Sequence, residues 1–186
     1  EHLLNPKEFW TKMPLPSVAV NDPLFRNVTT NNWSGQAEAL TYQRAIRALE
    51  LYGYDRLIPF LGRKLFEAIG PDCLFVQQYD PFTMKPSTVC LEGEQDAYGP
   101  AMLSVLEYIA RMYGIHIEQE EVYWGTVPGT ECIYEQEWGD YCYRIENDGV
   151  NAAGYVNGKQ VFKAPTDVKL VTGLDGEVKK AISFRF

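Results

Sequence analysis

Near Ile115 the apolar pattern of this chain changes period. Upstream, apolar residues recur every three to four positions, the spacing of a helix that buries one face. Downstream they alternate with polar residues, the spacing of a strand that buries one face. One regular element cannot serve both patterns, so the fold class expected is α+β, with a helical region over 1–115 and an antiparallel β module over 116–186. Strands are predicted at Val122–Thr126, Cys132–Glu137, Tyr141–Glu146, Gly154–Val156, Gln160–Lys163, Val168–Thr172 and Val178–Phe184. Asn157-Gly158 and Asp175-Gly176 read as type I′ hairpin turns, because both central positions of that turn need positive φ. The expected product is an antiparallel meander or sandwich.

Three helices are predicted upstream: Gln36–Tyr52, Asp55–Ile69 and Gly99–Tyr113. In the first, Gln36, Gln43, Arg47 and Glu50 form a polar stripe, with Leu40, Tyr42, Ile46 and Leu49 turned away from it. The short Gly53-Tyr54 link makes the first two an α-hairpin, and Gly70-Pro71 ends the second. The third has one narrow polar stripe, Ser104, Glu107 and Arg111, and is apolar elsewhere. Such a helix needs neighbours on most sides, more than three helices supply. The helical layer is therefore expected to be incomplete, its apolar face covered by a homo-oligomeric partner or by the rest of a larger helical assembly. Residues 1–35, with Pro6, Pro14, Pro16 and Pro23, read as a functional loop or a strap laid over another element. Within them Asn5-Pro6 caps a short turn that carries Glu8, Phe9 and Trp10.

Charge narrows the partners. Across 186 residues the formal net charge is −8, which repels phosphate backbones and anionic bilayers alike, so neither nucleic acid nor membrane is an expected partner. The apolar share is 46%, that of a folded protein. The longest apolar stretch, Ala101 to Tyr113, is too short and too charged to cross a membrane. The chain begins at Glu1 without an initiator Met and is read as starting after a processing point or a cut. Cys73, Cys90, Cys132 and Cys142 show no metal-ligand spacing, and His2 and His116 lie far apart, so no metal or cofactor is expected. If Gly139-Asp140 forms a two-residue turn, Cys132 and Cys142 fall several residues out of register, and all four thiols are expected free and mostly buried. Phosphate-binding glycine loops, dinucleotide fingerprints and a nucleophile elbow are absent from the sequence.

Two clusters remain that could carry chemistry. Asn31-Asn32-Trp33-Ser34-Gly35-Gln36 leads into the first long helix. Trp33 offers a flat face to a sugar ring, and Asn32 and Gln36 can hydrogen-bond hydroxyl groups; equally, Trp33 suits a core anchor and Asn32 or Ser34 a helix cap. The second cluster is Gln77-Gln78-Tyr79-Asp80-Pro81-Phe82-Thr83, followed by Glu92, Glu94 and Asp96. Glycoside hydrolysis uses two carboxylates, one giving a proton and one activating water or attacking carbon. Asp80-Pro81 also suits the start of a turn, and Asp96 a helix cap.

Taken in order, Leu3-Leu4-Asn5-Pro6-Lys7-Glu8-Phe9-Trp10, Pro14-Leu15-Pro16-Ser17-Val18, Asn21-Asp22-Pro23, Asn32-Trp33-Ser34-Gly35-Gln36, Gln78-Tyr79-Asp80-Pro81-Phe82-Thr83 and Asp96-Ala97-Tyr98-Gly99-Pro100 resemble the closing part of an α/α-toroid glycoside hydrolase. The group most resembled contains trehalase, processing α-glucosidase I and mannosylglycerate hydrolase, and the resemblance covers roughly residues 1–115. It implies part of an (α/α)6 toroid, a carbohydrate partner and an inverting mechanism on α-linked sugars. The general acid, an Asp, would lie upstream of Glu1, leaving this portion incomplete by itself. The resemblance places a glutamate base two residues before Tyr79-Asp80-Pro81, where this chain has Gln77, and an amide cannot take a proton from water. Either Glu92 or Glu94 then substitutes as the catalytic carboxylate, or the site works differently, or it binds sugar without cutting it. The same resemblance places Asn32, Trp33, Gln36, Gln77, Tyr79 and Asp80 against the sugar.

Overall fold

A computed structural model describes all residues except 31, 32, 71, 89–93, 96 and 184–186. The chain is α+β and divides into two compact units, Glu1–Leu106 and Glu107–Phe186. The period change at Ile115 marks the first strand of the β pattern, whereas the division into units falls earlier, inside the third helix. Among the described residues, no helix is long and apolar enough to cross a membrane.

In the first unit, strand β1 (Ala37–Glu38) runs straight into helix α1 (Ala39–Leu51). A 3-10 turn at Asp55–Leu57 precedes α2 (Ile58–Ile69), which carries Pro59 in its first turn and ends at Gly70, φ 64°. Strand β2 (Gln78–Tyr79) follows, and α3 (Gly99–Met112) starts in this unit. Of the apolar face expected of α1, Tyr42, Ile46 and Leu49 are buried and Leu40 is half-buried, with Ala39 buried beside them. Its expected start is corrected. Gln36 to Glu38 are extended because β1 pairs antiparallel with β2, Ala37 opposite Tyr79 and Glu38 opposite Gln78. That ladder claims backbone groups that a longer helix would have used internally.

The described residues of 1–35 do form a strap. Asn5 accepts three backbone N–H bonds, from Glu8, Phe9 and Trp10, and closes the first turn. The Met13 N–H then donates to the Pro81 carbonyl (2.9 Å), and Ser17 N–H to that of Gln36 (3.0 Å). The buried Tyr42 hydroxyl donates to the Pro14 carbonyl at 2.8 Å. Irregular backbone can be buried only if its polar groups find such partners. The Ser104 hydroxyl donates to the Ala39 carbonyl (2.9 Å), tying the start of α3 to the start of α1. Met102, Leu103 and Leu106, on the other side of α3, are about half exposed.

The second unit is a sandwich of two antiparallel four-stranded sheets. One is ordered β10-β9-β4-β3, from Val178–Ser183, Val168–Gly173, Glu121–Trp124 and Ile115–Glu118. The other is the meander β5-β6-β7-β8, from Glu131–Trp138, Tyr141–Asp148, Asn151–Val156 and Lys159–Pro165. Both contribute to one core: Ile115, Val122, Trp124 and Leu170 from the first, and Tyr143, Ile145, Ala152, Val156 and Phe162 from the second. Trp124 is fully buried, meets Phe162 edge-on at 5.1 Å between ring centroids, and donates its indole N–H to the Thr172 hydroxyl at 3.0 Å. Burying this indole therefore leaves no orphan donor.

Several expectations for the β part need amendment. Strand β3 was not expected, since Gln119-Glu120 is not a recognised hairpin signal, yet both residues adopt positive φ (51° and 61°) and turn β3 into β4. Asn157-Gly158 is the type I′ turn expected, with φ of 50° and 77°. Asp175-Gly176 is not a two-residue turn: the Gly176 N–H donates to the Gly173 carbonyl, Gly173 N–H donates to that of Glu177, and of the pair Gly176 alone has positive φ. Cys132 pairs with Asn147 and Cys142 with Glu137, the register that forbids their disulfide. Cys73, Cys132 and Cys142 are free thiols, but Cys73 and Cys142 are exposed, correcting the expected burial; Cys142 sits on the outward side of β6. Cys90 lies outside the described residues. Trp124→Ala should cost about 3–5 kcal/mol in urea unfolding followed by near-UV circular dichroism, the range for emptying a large aromatic site. A loss under 1 kcal/mol would show that the two sheets do not depend on this ring.

Candidate functional site

The two-residue ladder decides which polar side chains share a face. Alternation along a strand puts Gln36, Glu38, Gln78 and Asp80 on one side, and Ala37, Gln77 and Tyr79 on the other. The first set is buried throughout. Asp80 opens a tight turn: its Oδ1 accepts the N–H groups of Phe82 and Thr83, both at 2.8 Å, and its Oδ2 accepts Asn27 Nδ2 at 2.7 Å. Asn27 Oδ1 in turn accepts Gln36 Nε2 at 3.3 Å. One strap residue thus bridges the two strands. Glu38 Oε2 accepts the Thr41 hydroxyl at 3.2 Å, one helical turn along.

Burial alone would raise the Asp80 carboxyl, but hydrogen bonds from Thr83, Asn27 and Phe82 outweigh it and hold the group below its ordinary value. Asp80 is therefore an ionised, positioned acceptor rather than a proton donor. Tyr79 takes another part. Its ring is fully buried, its hydroxyl donates to the Leu74 carbonyl at 2.9 Å, and desolvation pushes its pKa up to about 12.

What distinguishes this cluster is what stays unpaired. Oε1 and Nε2 of Gln78 are both buried without a hydrogen-bond partner among the described residues, and so is Oε1 of Gln36. Whichever way either amide is turned, an end remains orphaned. Each such group costs about 1–3 kcal/mol relative to a paired one, so a stable fold keeps them at a disadvantage unless something else pairs with them. The backbone around Gln78 is well satisfied: its carbonyl accepts Ser87 N–H at 2.8 Å and its N–H donates to the Ser87 hydroxyl at 3.3 Å. The deficit belongs to the side chain alone.

Of the residues singled out in the sequence, Gln36 and Asp80 come together through Asn27, and Tyr79 and Gln77 face the opposite way. Trp33 is 54% exposed, its carbonyl held by the Ser17 hydroxyl at 2.8 Å. Gly35 beside it cannot be replaced without movement, since a Cβ there would lie 1.9 Å from the Arg26 carbonyl oxygen. Glu94 is exposed; Asn32, Glu92 and Asp96 fall outside the described residues. The sequence alone gives no role to Asn27, Glu38 or the side chain of Gln78, since it does not show that Ala37–Glu38 is a strand paired with Gln78–Tyr79. Among the described residues, no group of three or more His, Cys, Asp and Glu side chains is gathered as a metal would require. No protein-family model matches the chain, and no curated protein matches it.

Asp80→Ala should destabilise the protein by about 1.5–3 kcal/mol at neutral pH, the range for hydrogen bonds to a charged group. Because the folded pKa is depressed, the ionic part of that contribution is full above the unfolded value near 4 and fades as pH falls through the folded one. Wild-type and variant unfolding curves should therefore converge below about pH 4. A gap independent of pH would assign the turn's stability to shape alone.

Proposed function

We propose that this chain is the sugar-recognising C-terminal portion of a glycoside hydrolase of the α/α-toroid kind, acting on α-linked sugars by inversion and incomplete without further helical sequence. The observation that supports it best is the pair of buried amides at Gln36 and Gln78, orphaned beside a fixed carboxylate, with the Trp33 ring exposed on the same loop-to-helix segment. Amide groups that both give and take hydrogen bonds suit vicinal hydroxyls, whereas an amine or a phosphate would require a charge of one sign. The half-exposed stripe Met102, Leu103 and Leu106 on α3 favours a further apolar packing partner.

A second reading has its own support: the site holds sugar without cutting it. Gln77 stands where the resemblance calls for a base, and Asp80 is spent on accepting two hydrogen bonds within its own loop and one from Asn27 of the strap. Turnover by the isolated chain tests the premise that the two readings share. The isolated chain should release no glucose from trehalose, maltose or aryl α-glucosides; robust turnover would sink the proposal that its proton donor lies elsewhere. In a hydrolytically active parent enzyme, Gln77→Glu should raise the rate strongly if the site is a degenerate one, and leave it unchanged if another carboxylate acts.

Gln78→Leu gives the sharper measurement. Replacing two orphaned polar atoms with an apolar group of similar size should raise stability by about 1–3 kcal/mol, while abolishing the thermal shift given by trehalose or maltose. A destabilised variant would mean that the amide serves the fold, and the recognition reading would fail with it.

A further inference from the structure

On its outer side, away from the sandwich core, the meander β5-β6-β7-β8 forms an open groove of about 740 Å3. The register sets its lining in rows across the sheet. Ile133, Glu146, Ala153 and Lys163 make one, Tyr155 and Gln160 lie in the next, and Glu135 and Arg144 continue that next row beyond the groove. Ala153 is the small residue in the middle of its row, flanked by Glu146 and Lys163, and this is why the face is hollow.

Polar groups here are fixed before any ligand arrives. Arg144 Nη1 donates to Glu135 at 2.8 Å, and its Nε and Nη2 reach Glu146 Oε1 at 2.9 and 2.7 Å. The Tyr155 hydroxyl donates to the other Glu146 oxygen at 3.3 Å, which fixes the direction of its ring. At the end of the groove, Asp148 Oδ1 accepts the N–H groups of Val150 and Asn151 at 2.9 and 2.6 Å. A count of charges alone would call this face acidic and suggest a basic peptide. Glu146 and Asp148 already accept hydrogen bonds from Arg144, Tyr155 and backbone N–H groups. Glu131, Glu146 and Asp148 still outnumber Lys163 in the lining, so the face stays acidic. It is the ring of Tyr155 and the apolar Ile133 that favour a neutral ligand over a cation. The groove offers a half-buried aromatic ring, an exposed apolar side chain at Ile133, and both donors and acceptors at Lys163, Asn151 and Gln160.

We propose that this groove is a second, non-catalytic site that binds an extended neutral oligosaccharide, its ring faces against Tyr155 and Ile133 and its hydroxyls on the polar rim. An open-ended channel suits a chain better than a single ring. The proposal stands on the second unit alone and does not depend on the amide cluster of the first.

The full-length chain is titrated with maltohexaose, cellohexaose and xylohexaose by amide NMR and calorimetry, with tetralysine as the charge control. At least one hexasaccharide should bind and shift amides on β5 to β8. Tyr155→Ala should weaken that binding about tenfold or more, and Ala153→Arg, which fills the hollow, should abolish it. Gln78→Leu should leave it untouched, so failure of this site and failure of the first are read separately. If Tyr155→Ala unfolds, Ala153→Arg carries the comparison alone. The proposal is overturned if none of the three sugars binds more tightly than about 10 mM, if tetralysine binds in their place, if the groove variants bind like the parent, or if Gln78→Leu removes the binding.

Discussion

Two pairs of residues, Ala37 with Tyr79 and Glu38 with Gln78, hold the first unit in the arrangement described above. A ladder this short contributes little by itself, yet it decides three things at once. It halts α1 at Ala39, it gives the N-terminal strap an edge to pair with at Pro16 and Ala37, and it sorts alternate side chains to opposite sides. One side carries Ala37, Gln77 and Tyr79, with Tyr79 sealed by its own hydroxyl bond. The other gathers amides and carboxylates out of water. Without the pairing, Gln36 would be one more polar residue on a helix surface.

The β sandwich was largely legible beforehand because alternation and turn chemistry are local. Gly139-Asp140 predicted the β5–β6 register far enough to rule out a disulfide. The hairpin at Gln119-Glu120 was not legible, since residues with a Cβ rarely enter the left-handed region and only the pairing of β3, β4 and β9 makes them do so here. Cys142 was misjudged because a thiol's usual burial gives way to strand parity, which points it outward. In the first unit, α1 shows its apolar stripe plainly. Gln78 stands in the second cluster, but its buried side chain is not legible there because a strand of two residues has no period to read.

Both polar assemblies reuse side chains to bond one another, but with opposite remainders. Around Arg144 the hydrogen bonds close, although two carboxylates, Glu135 and Glu146, share the one guanidinium. Around Gln78 they do not close, and a fully buried amide is left waiting. A sequence count treats the two alike, as clusters of Gln, Glu and Asp. Only the pairing of individual atoms tells a surface whose hydrogen bonds are met from an interior where some are not.

The strand order of the second unit also has a kinetic side. Strands β5 to β8 each pair with their neighbour in sequence, so that sheet can close through small loops one hairpin at a time. The opposing sheet cannot: Trp124 on β4 must wait for Leu170 on β9, which lies beyond the whole meander. The meander is then the natural template on which the later sheet settles. Until β9 arrives, the indole at the centre of the future core has half its walls, and a nascent chain stopped short of β9 would present that surface to whatever it meets.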